Sequence, residues 1–418
     1  MAALRHSGFR LLVAGELVSN FGDAIYSVAL AWYVLAHHGG PLLLGTVLTA
    51  YGIPRTALLI VGGHASDRCR PWAVMLVANT ARGIAVAAFA VTAAEGVARG
   101  AVLIVIAVVL GAGEGIFIPA SEAIIPALLP SDELQAGNAL SFGTTELSQL
   151  AGPAVGGVLV ALISAAGGFA IDAATFLISA LTLIGIQRAA PRIAAPASQC
   201  DDPSEAASVA TLRGLWANAP ILRLMLISDA MLNLGSAGMG RVALPALAKG
   251  PFHLGASGYG ALSAAMGAGL LLGTLAASWL PPTRRPLLIA SLALLPVAPL
   301  VAGIPFAGGW ISAAIILVLA FILIAIGNLL LITALQQWAP PDLLGRLTGV
   351  LMLASVGMLP ISVLLAGILI HLTGPTAYFP LDGATVLIAA AAQLSSPTWR
   401  HFDPRHTPSK PPDRALDG

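Results

Sequence analysis

The sequence predicts an all-α integral membrane protein, and three observations support this fold class. Of the 418 residues, 57% are hydrophobic and only 9% are charged, and the mean hydropathy is +0.90. A soluble domain carries about 25% charged residues, so this chain could not cover its surface with polar groups in water. The apolar residues also form long runs, and the basic residues fall in alternate loops between those runs.

Twelve apolar runs are each roughly 20 residues or longer, which is enough to cross a ~30 Å hydrocarbon core as a helix. A polar, Pro-containing connector at residues 191–218 separates six runs from six. We therefore expect two six-helix bundles, residues 1–190 and 219–395, and a disordered tail at 396–418. The predicted spans are 11–36, 42–63, 72–94, 101–125, 138–163, 168–187, 220–246, 256–280, 286–306, 309–337, 347–371 and 376–395.

The basic residues predict the orientation of these spans. In a twelve-span arrangement, fifteen of the 20 Lys and Arg residues lie on one side, and only Arg99 and Lys249 lie on the other. Because Lys and Arg collect in cytoplasmic loops, both termini are expected in the cytoplasm. The remaining three, Arg55, Arg82 and Arg241, fall inside spans.

The two halves of the chain resemble each other. The segment Pro130–Leu134 before the fifth span matches Pro340–Leu344 before the eleventh at an offset of 210 residues. In the first span Glu16, Asn20, Gly22 and Asp23 match four residues of the seventh at an offset of 213: Asp229, Asn233, Gly235 and Ser236. Two such matches, in corresponding positions of six-helix halves, indicate an internal duplication.

Several short motifs occur in order along these spans. The loop after the second span reads Gly63-x-x-x-Asp67-Arg68, and the fifth span contains Gly152-Pro153-Ala-Val-Gly156-Gly157. The fourth span carries Gly115-Ile-Phe-Ile-Pro119-Ala120, and the sixth opens with Asp172-Ala-Ala-Thr-Phe176. With these motifs, residues 8–395 resemble the major facilitator superfamily, and within it the macrolide-efflux and enterobactin-exporter-like branch.

The resemblance implies a function and roles for the motifs. It implies a secondary transporter that works by alternating access, exporting an amphipathic drug, antibiotic, siderophore or metabolite from a bacterium across its inner membrane. It implies gating by the loop with Gly63, Asp67 and Arg68. Asp67 could meet Arg346, or the positive end of the eleventh span just after Asp342, across the halves, whereas Asp67 and Arg68 could instead be a positive-inside anchor at the membrane surface. It implies that Gly152, Pro153, Gly156 and Gly157 bend and seal the fifth span, whereas ordinary close packing would also explain them.

Ionisable residues inside a bilayer cost roughly 2.5–3.5 kcal/mol each, so each one needs a reason. Glu16, Asn20 and Asp23 share one face of the first span and predict either a cavity wall or a hydrogen bond to another helix. Asp172 and Asp382 lie near predicted helix starts, where an acid complements the helix dipole, and are read as structural. The predicted substrate- or proton-binding residues are Glu16, Asn20, Asp23, Arg55, Glu114, Glu146, Asp229 and Asn233.

The charges inside the spans also predict a coupling ion. Five acids face three arginines, so at least two acids stay unpaired if each arginine takes one. An unpaired buried carboxyl group tends to take a proton. The resulting hypothesis is that Asp23 or Glu114 exchanges a proton during transport.

Other classes of function receive less support from the sequence. The net charge of +1 argues against nucleic-acid binding, and neither a phosphate-binding loop nor a metal-ligand spacing is present. We expect no cofactor, no enzymatic activity, a small-molecule substrate and a monomer in the lipid bilayer. Uptake by proton symport, a transport-inactive receptor and an integral membrane enzyme stay open as alternatives.

Overall fold

The computed structural model describes residues 3–37, 39–96, 99–130, 132–189, 220–279, 283–339 and 341–403. Some side chains within these ranges lie outside the description, among them those of Asp67 and Arg346. The predicted connector 191–218 is also outside the described residues. Everywhere the described chain has regular secondary structure, that structure is helical.

The first half contains five long helices. They are α1 (Ser7–His37), α2 (Gly40–Arg68), α3 (Pro71–Ala94), α4 (Gly100–Leu128) and α5 (Leu134–Ala189). Within α5 the backbone leaves helical geometry at Ser164, where φ is 70° and ψ is 170°. The segment α5 therefore consists of two helices. The predicted spans 138–163 and 168–187 left residues 164–167 between them, and the structure has a single non-helical residue there.

The second half contains the remaining helices. They are α6 (Pro220–Gly238), a π-helical turn (Met239–Ala243), α7 (Leu244–Lys249), α8 (Ala256–Ser278), α9 (Pro286–Gly303), α10 (Trp310–Trp338), α11 (Pro341–Thr373), α12 (Pro375–Ser395) and α13 (Pro397–Arg400). Proline opens several of these helices because its fixed φ suits the first turn and its missing N–H has no intrahelical partner there.

Within the described ranges, nine helices are long and apolar enough to cross a membrane. One of them, Leu134–Arg188, has 55 residues and is long enough for two crossings. The helices α1 and α6 are not among the nine, and these two carry the polar faces with Glu16 and Asp229. Together these segments are consistent with the twelve predicted spans of a multi-pass membrane protein.

The helices form two bundles. In the first, α1 packs along α5, α2 packs along α4, and α3 contacts both α4 and α5. In the second, α8 packs on α10, α9 on α10 and α12, and α6 on α11 and α12. The principal contacts between the bundles are α2 with α11 and α5 with α8, which we call the two seams.

Both seams are closed at the end of the molecule away from the termini, which we call the far end. In the first seam a Cβ added at Gly45 would lie 3.0 Å from the Gly367 Cα, and Thr49 Oγ1 donates a hydrogen bond to the Pro360 carbonyl over 3.0 Å. In the second seam a Cβ added at Gly157 would lie 2.8 Å from the Gly260 Cα. Glycine at these positions lets the two backbones touch.

The seams differ at the end that carries the termini, which we call the near end. A Cβ added at Gly63, Gly143 or Gly357 would meet no described atom within 4 Å. Gly143 shares a face of α5 with Leu150 and Gly157, which contact α8 at Gly267 in the middle of that helix and at Gly260 toward the far end. Among the described residues, the close glycine contacts between the bundles therefore lie at the far end and in the middle of the seams, and Gly63, Gly143 and Gly357 make none toward the near end.

The chain stays packed beyond residue 395, where we placed the start of the tail. Trp399 is fully buried, and its Nε1 donates to the Leu287 carbonyl over 3.0 Å and to Ser291 Oγ over 2.7 Å. Ser291 in turn donates to Gln393 of α12 over 2.7 Å. The helix α13 is thus fastened to α9, and residues 404–418 lie outside the described residues.

Candidate functional site

The polar face of α1 is satisfied by other helices of its own bundle. Ser141 of α5 donates to Glu16 Oε2 over 2.6 Å, and Asn20 Nδ2 donates to Thr145 Oγ1 of α5 over 3.3 Å. One turn further along α1, Asp23 accepts two hydrogen bonds from Arg82 of α3. The face predicted from the spacing of Glu16, Asn20 and Asp23 therefore points at helices rather than at lipid.

The ion pair Asp23–Arg82 is held in place from several sides. Arg82 Nη2 lies 2.8 Å from Asp23 Oδ1 and 3.0 Å from Oδ2, and the guanidinium lies 4.4 Å from the centroid of the Phe176 ring. The Arg82 side chain is only 4% exposed, whereas that of Asp23 is 37% exposed. A side chain at Gly113 would collide with the Arg82 stem, so glycine there leaves room for the pair.

A second ion pair joins α2 to α4. Arg55 Nε lies 3.1 Å from Glu114 Oε1, but Nε is not aligned to donate a hydrogen bond, so the contact is mainly Coulombic. Gly111 and Gly115 press against the backbone of α2 at Tyr51 and Arg55, which brings Glu114 alongside its partner. Both side chains are 21% exposed, so neighbouring helices cover most but not all of each.

The second bundle repeats the carboxylate of α1 in a different setting. Asp229 of α6 accepts from Ser355 Oγ of α11 over 2.5 Å and from Asn233 Nδ2 over 3.2 Å. Glu16 and Asp229 occupy matching positions of the two halves, and each is bonded by a serine of the matching helix, α5 or α11. The duplication seen in the sequence therefore extends to the contacts of these two acids.

The pairing of charges corrects the inventory made from the sequence. Asp23 and Glu114, expected to include an unpaired acid, are the two acids that pair with arginines. Within the described residues, Glu16 and Asp229 bond to neutral side chains, and Glu146 is exposed with no hydrogen bond. Among the residues that the structure describes, the third intramembrane arginine, Arg241, has no ion-pair partner.

The structure also revises the reading of Asp172 and Asp382. Each lies about two turns inside its helix, beyond the first turn in which the helix dipole acts strongly. Each is buried, and each is bonded by a threonine three residues later, Thr175 over 3.3 Å and Thr385 over 3.4 Å. These carboxyls pack against the matching glycines Gly22 and Gly235 and belong to the bundle interiors.

The predicted gate is only partly described. Gly63 and Arg68 lie in the last turns of α2 at the near end, and Arg68 is exposed. The side chains of Asp67 and Arg346 lie outside the described residues, so their expected contact stays a prediction.

The motif in the fifth span packs against two helices. Gly152 lies on Ala24 of α1, and a Cβ at Gly156 would come within 3.0 Å of the Ile25 Cα. On another side, the Pro153 carbonyl and Gly157 face Gly260 of α8. The motif thus joins α1, α5 and α8 and forms the closed part of the second seam.

Sequence reasoning missed the hydroxyl partners of Glu16, Asn20 and Asp229. Ser141, Thr145 and Ser355 lie in apolar helices, and single hydroxyl groups there are common enough to carry no signal by themselves. The polar stretch around Glu146 and Gln149 was the one available hint for α5. Among the described residues no group of three or more His, Cys, Asp or Glu could hold a metal ion.

The chain is similar to several transporters. It is 28% identical over 351 residues to the enterobactin exporter EntS of Salmonella typhi, with 82% of this chain and 81% of that protein covered. It is 27% identical over 393 residues to the corresponding exporter of Shigella boydii serotype 4, with 93% and 91% covered.

Solved structures of transporters share the fold. The nucleoside transporter NupG superposes with a TM-score of 0.73 at 13% identity, covering 93% of this chain and 99% of that one. A bacterial homologue of the iron transporter ferroportin, solved in an inward-facing state, gives a TM-score of 0.72 at 16% identity, with 94% and 99% covered.

A family model spans most of the chain. Residues 12–356 match the model described as the Major Facilitator Superfamily. The match agrees with the two-bundle helical architecture and with the transporters named above. The chain therefore belongs to the major facilitator superfamily and is a membrane transporter with that fold.

Proposed function

We propose that this transporter exports an amphipathic small molecule across a bacterial inner membrane and uses the entry of protons to drive the export. The relatives named above are exporters of enterobactin, a small molecule, and share 27–28% of their residues with this chain over most of its length. The substrate class is a siderophore, an antibiotic or a related metabolite. The protein works as a monomer, since one chain supplies both bundles and both seams.

The distribution of basic residues supports cytoplasmic termini. With that orientation, the near end faces the cytoplasm and the far end faces outward. Among the described residues, the close contacts of the seams lie at the far end and in the middle, an arrangement that suits loading of a substrate from the cytoplasm. Gly63, Asp67 and Arg68, which the sequence suggested as a loop, belong to the last turns of α2 at this end. The proposed gate closes when Asp67 meets Arg346.

Two ion pairs near the middle of the proposed spans support proton coupling. Asp23–Arg82 and Glu114–Arg55 each join an acid to an arginine, and each acid is partly exposed. A proton arriving at the carboxylate would neutralise it and release the arginine, which changes the charge that the bundle presents to its centre. Intramembrane acids of this kind mark proton paths in many carriers.

Everted membrane vesicles test this proposal. A screen of dyes, macrolides and siderophores in a sensitive host first supplies a substrate, and its accumulation is then followed in vesicles with an acidic interior. An exporter fills the vesicles, whereas a proton symporter for uptake empties them. We expect Asp23→Asn and Glu114→Gln to abolish accumulation driven by the pH gradient while movement down a substrate gradient persists.

Glu122 supplies a matched control. It lies on the same helix as Glu114 but is exposed nearer the end of α4. Glu122→Gln should therefore accumulate substrate at the rate of the unmodified protein. If both Asp23→Asn and Glu114→Gln kept gradient-driven accumulation, protons would have to couple elsewhere.

A further inference from the structure

Arg241 lies in the π-helical turn Met239–Ala243 that interrupts the seventh span. Pro245 explains the turn, because it has no N–H to donate to the Arg241 carbonyl four residues earlier. The Leu244 N–H instead bonds to the Met239 carbonyl, five residues back. Such wide turns often occur at functional sites, and this one changes the direction in which the helix presents Arg241.

Arg241 lies where the two bundles meet, because its π-helical turn contacts α2 of the first bundle as well as α11 and α12 of the second. It is exposed, and among the described residues it forms neither a hydrogen bond nor an ion pair. It nevertheless lies within Coulombic range of Arg55 and Glu114, which belong to the opposite bundle. This proximity and the contact of the turn with α2 place Arg241 on the side of the seventh span that meets the opposite bundle.

The described carboxylates around Arg241 do not bond to it. Asp23 pairs with Arg82, and Glu114 pairs with Arg55. Glu16 and Asp229 bond to serines, and Asp172 and Asp382 are buried inside their bundles. Glu146 is exposed on α5. Within the described residues, the guanidinium group of Arg241 therefore keeps its hydrogen-bond donors for a ligand.

The guanidinium group favours a particular kind of ligand. It presents five N–H donors in a planar fork that matches the two oxygens of a carboxylate or a similar oxyanion. A charged arginine inside a membrane is costly without such a partner.

We propose that Arg241 is the residue that recognises the substrate, and that the transported molecule is an amphipathic anion whose carboxylate or comparable oxyanion binds Arg241. This inference rests on the proposed export function and names its substrate class. It predicts that neutral molecules of the same shape bind more weakly, and that cationic amphiphiles bind more weakly still because the site repels them.

Three dansyl compounds with one fluorescent scaffold test the inference. Dansylglycine is an anion, dansylglycinamide is neutral, and dansylethylenediamine is a cation. Their binding to the purified protein is measured by dansyl fluorescence at equilibrium, with no gradient present. A charge-assisted hydrogen bond corresponds to about a tenfold preference or more, so the unmodified protein should bind dansylglycine about tenfold more tightly than its amide.

Substitutions at Arg241 complete the experiment. Arg241→Gln should bind the anion and the amide equally, with its affinity for the amide unchanged, and Arg241→Lys should keep part of the preference. The unchanged amide affinity shows that the variant is folded. Equal binding of anion and amide by the unmodified protein, no binding of the anion, or a preference that survives in Arg241→Gln would each overturn the assignment.

The outcome is separable from that of the proposed function, because binding is measured without transport. If the protein exports a substrate but shows no preference for the anion, the proposal of proton-driven export stands and only the anionic substrate class is rejected. If the protein prefers the anion through Arg241 but shows no gradient-driven accumulation, the recognition site stands and the proposal of proton coupling is rejected.

Discussion

At the scale of single residues, the sequence identified most of the charged groups but not their partners. Helical spacing was enough to place Glu16, Asn20 and Asp23 on one face, because that spacing depends only on α1 itself. The pairing of Asp23 with Arg82 depends on how α1 and α3 are positioned in the bundle, and the two residues are 59 positions apart. Local patterns carry no information about such a distance.

The pair Asp23–Arg82 gives a prediction about stability. Asp23→Asn leaves the nearly buried Arg82 without its counter-ion, so we expect a loss of about 1–3 kcal/mol in the free energy of unfolding. The double variant Asp23→Asn/Arg82→Gln removes both charges and should recover most of that loss. Thermal unfolding of the purified proteins measures both effects, and strictly additive losses would contradict a direct interaction.

At the scale of helices, the apolar runs predicted where spans occur but not how two of them are built. The two predicted spans 138–163 and 168–187 are continuous in helical geometry except at Ser164, the first residue of the interval between them. The sequence located this interval but did not show that the chain leaves helical geometry at one residue only. The π-helical turn at Met239–Ala243 has one sequence signal, Pro245, but a proline in a span more often produces a simple kink. The outcome depends on packing against α2, α11 and α12.

The second seam gives a prediction at this scale. Gly157→Val places a side chain against the backbone of Gly260 and Ala256, so the bundles must separate at the far end at a cost of about 1–3 kcal/mol. We expect the initial rate of substrate transport in vesicles to fall about tenfold or more. The change alters a contact between bundles and should leave the individual bundles folded.

Gly143 provides the control on the same helix. A Cβ there meets no described atom within 4 Å, and alanine favours the helix by up to about 1 kcal/mol over glycine. Gly143→Ala should therefore transport at the normal rate and unfold at an equal or higher temperature. Equal impairment by Gly157→Val and Gly143→Ala would mean that the closed seam has no special part in transport.

At the scale of the whole molecule, the duplication is visible in the sequence, but the opening between the halves is not. Offsets of 210 and 213 residues relate Gly157 to Gly367 and Glu16 to Asp229. Sequence similarity between the halves predicts two similar bundles, but it does not determine the angle between them. That angle is set by contacts such as Gly45 with Gly367 at the far end, and in a rocking carrier it changes during the cycle.

The opening predicts which side of the membrane reaches Gly143. In a protein with Cys69→Ser, Cys200→Ser and Gly143→Cys, a membrane-impermeant maleimide should label the new thiol in everted vesicles. Intact cells, which present the opposite face, should show little labelling. Labelling from the outside alone would reverse the proposed orientation of the near end, and Gly157→Cys should resist the reagent in both preparations because Gly260 covers it.

The anchoring of Trp399 determines how the protein can be handled in the laboratory. This indole fills a space between α9 and α12 and bonds to Leu287 and Ser291. A shortened version that stops at the end of α12 would lose this plug and leave Ser291 and Gln393 with fewer partners. Purification tags and fluorescent reporters should therefore be fused after Asp403, and a cut made earlier is expected to yield poorly extractable protein.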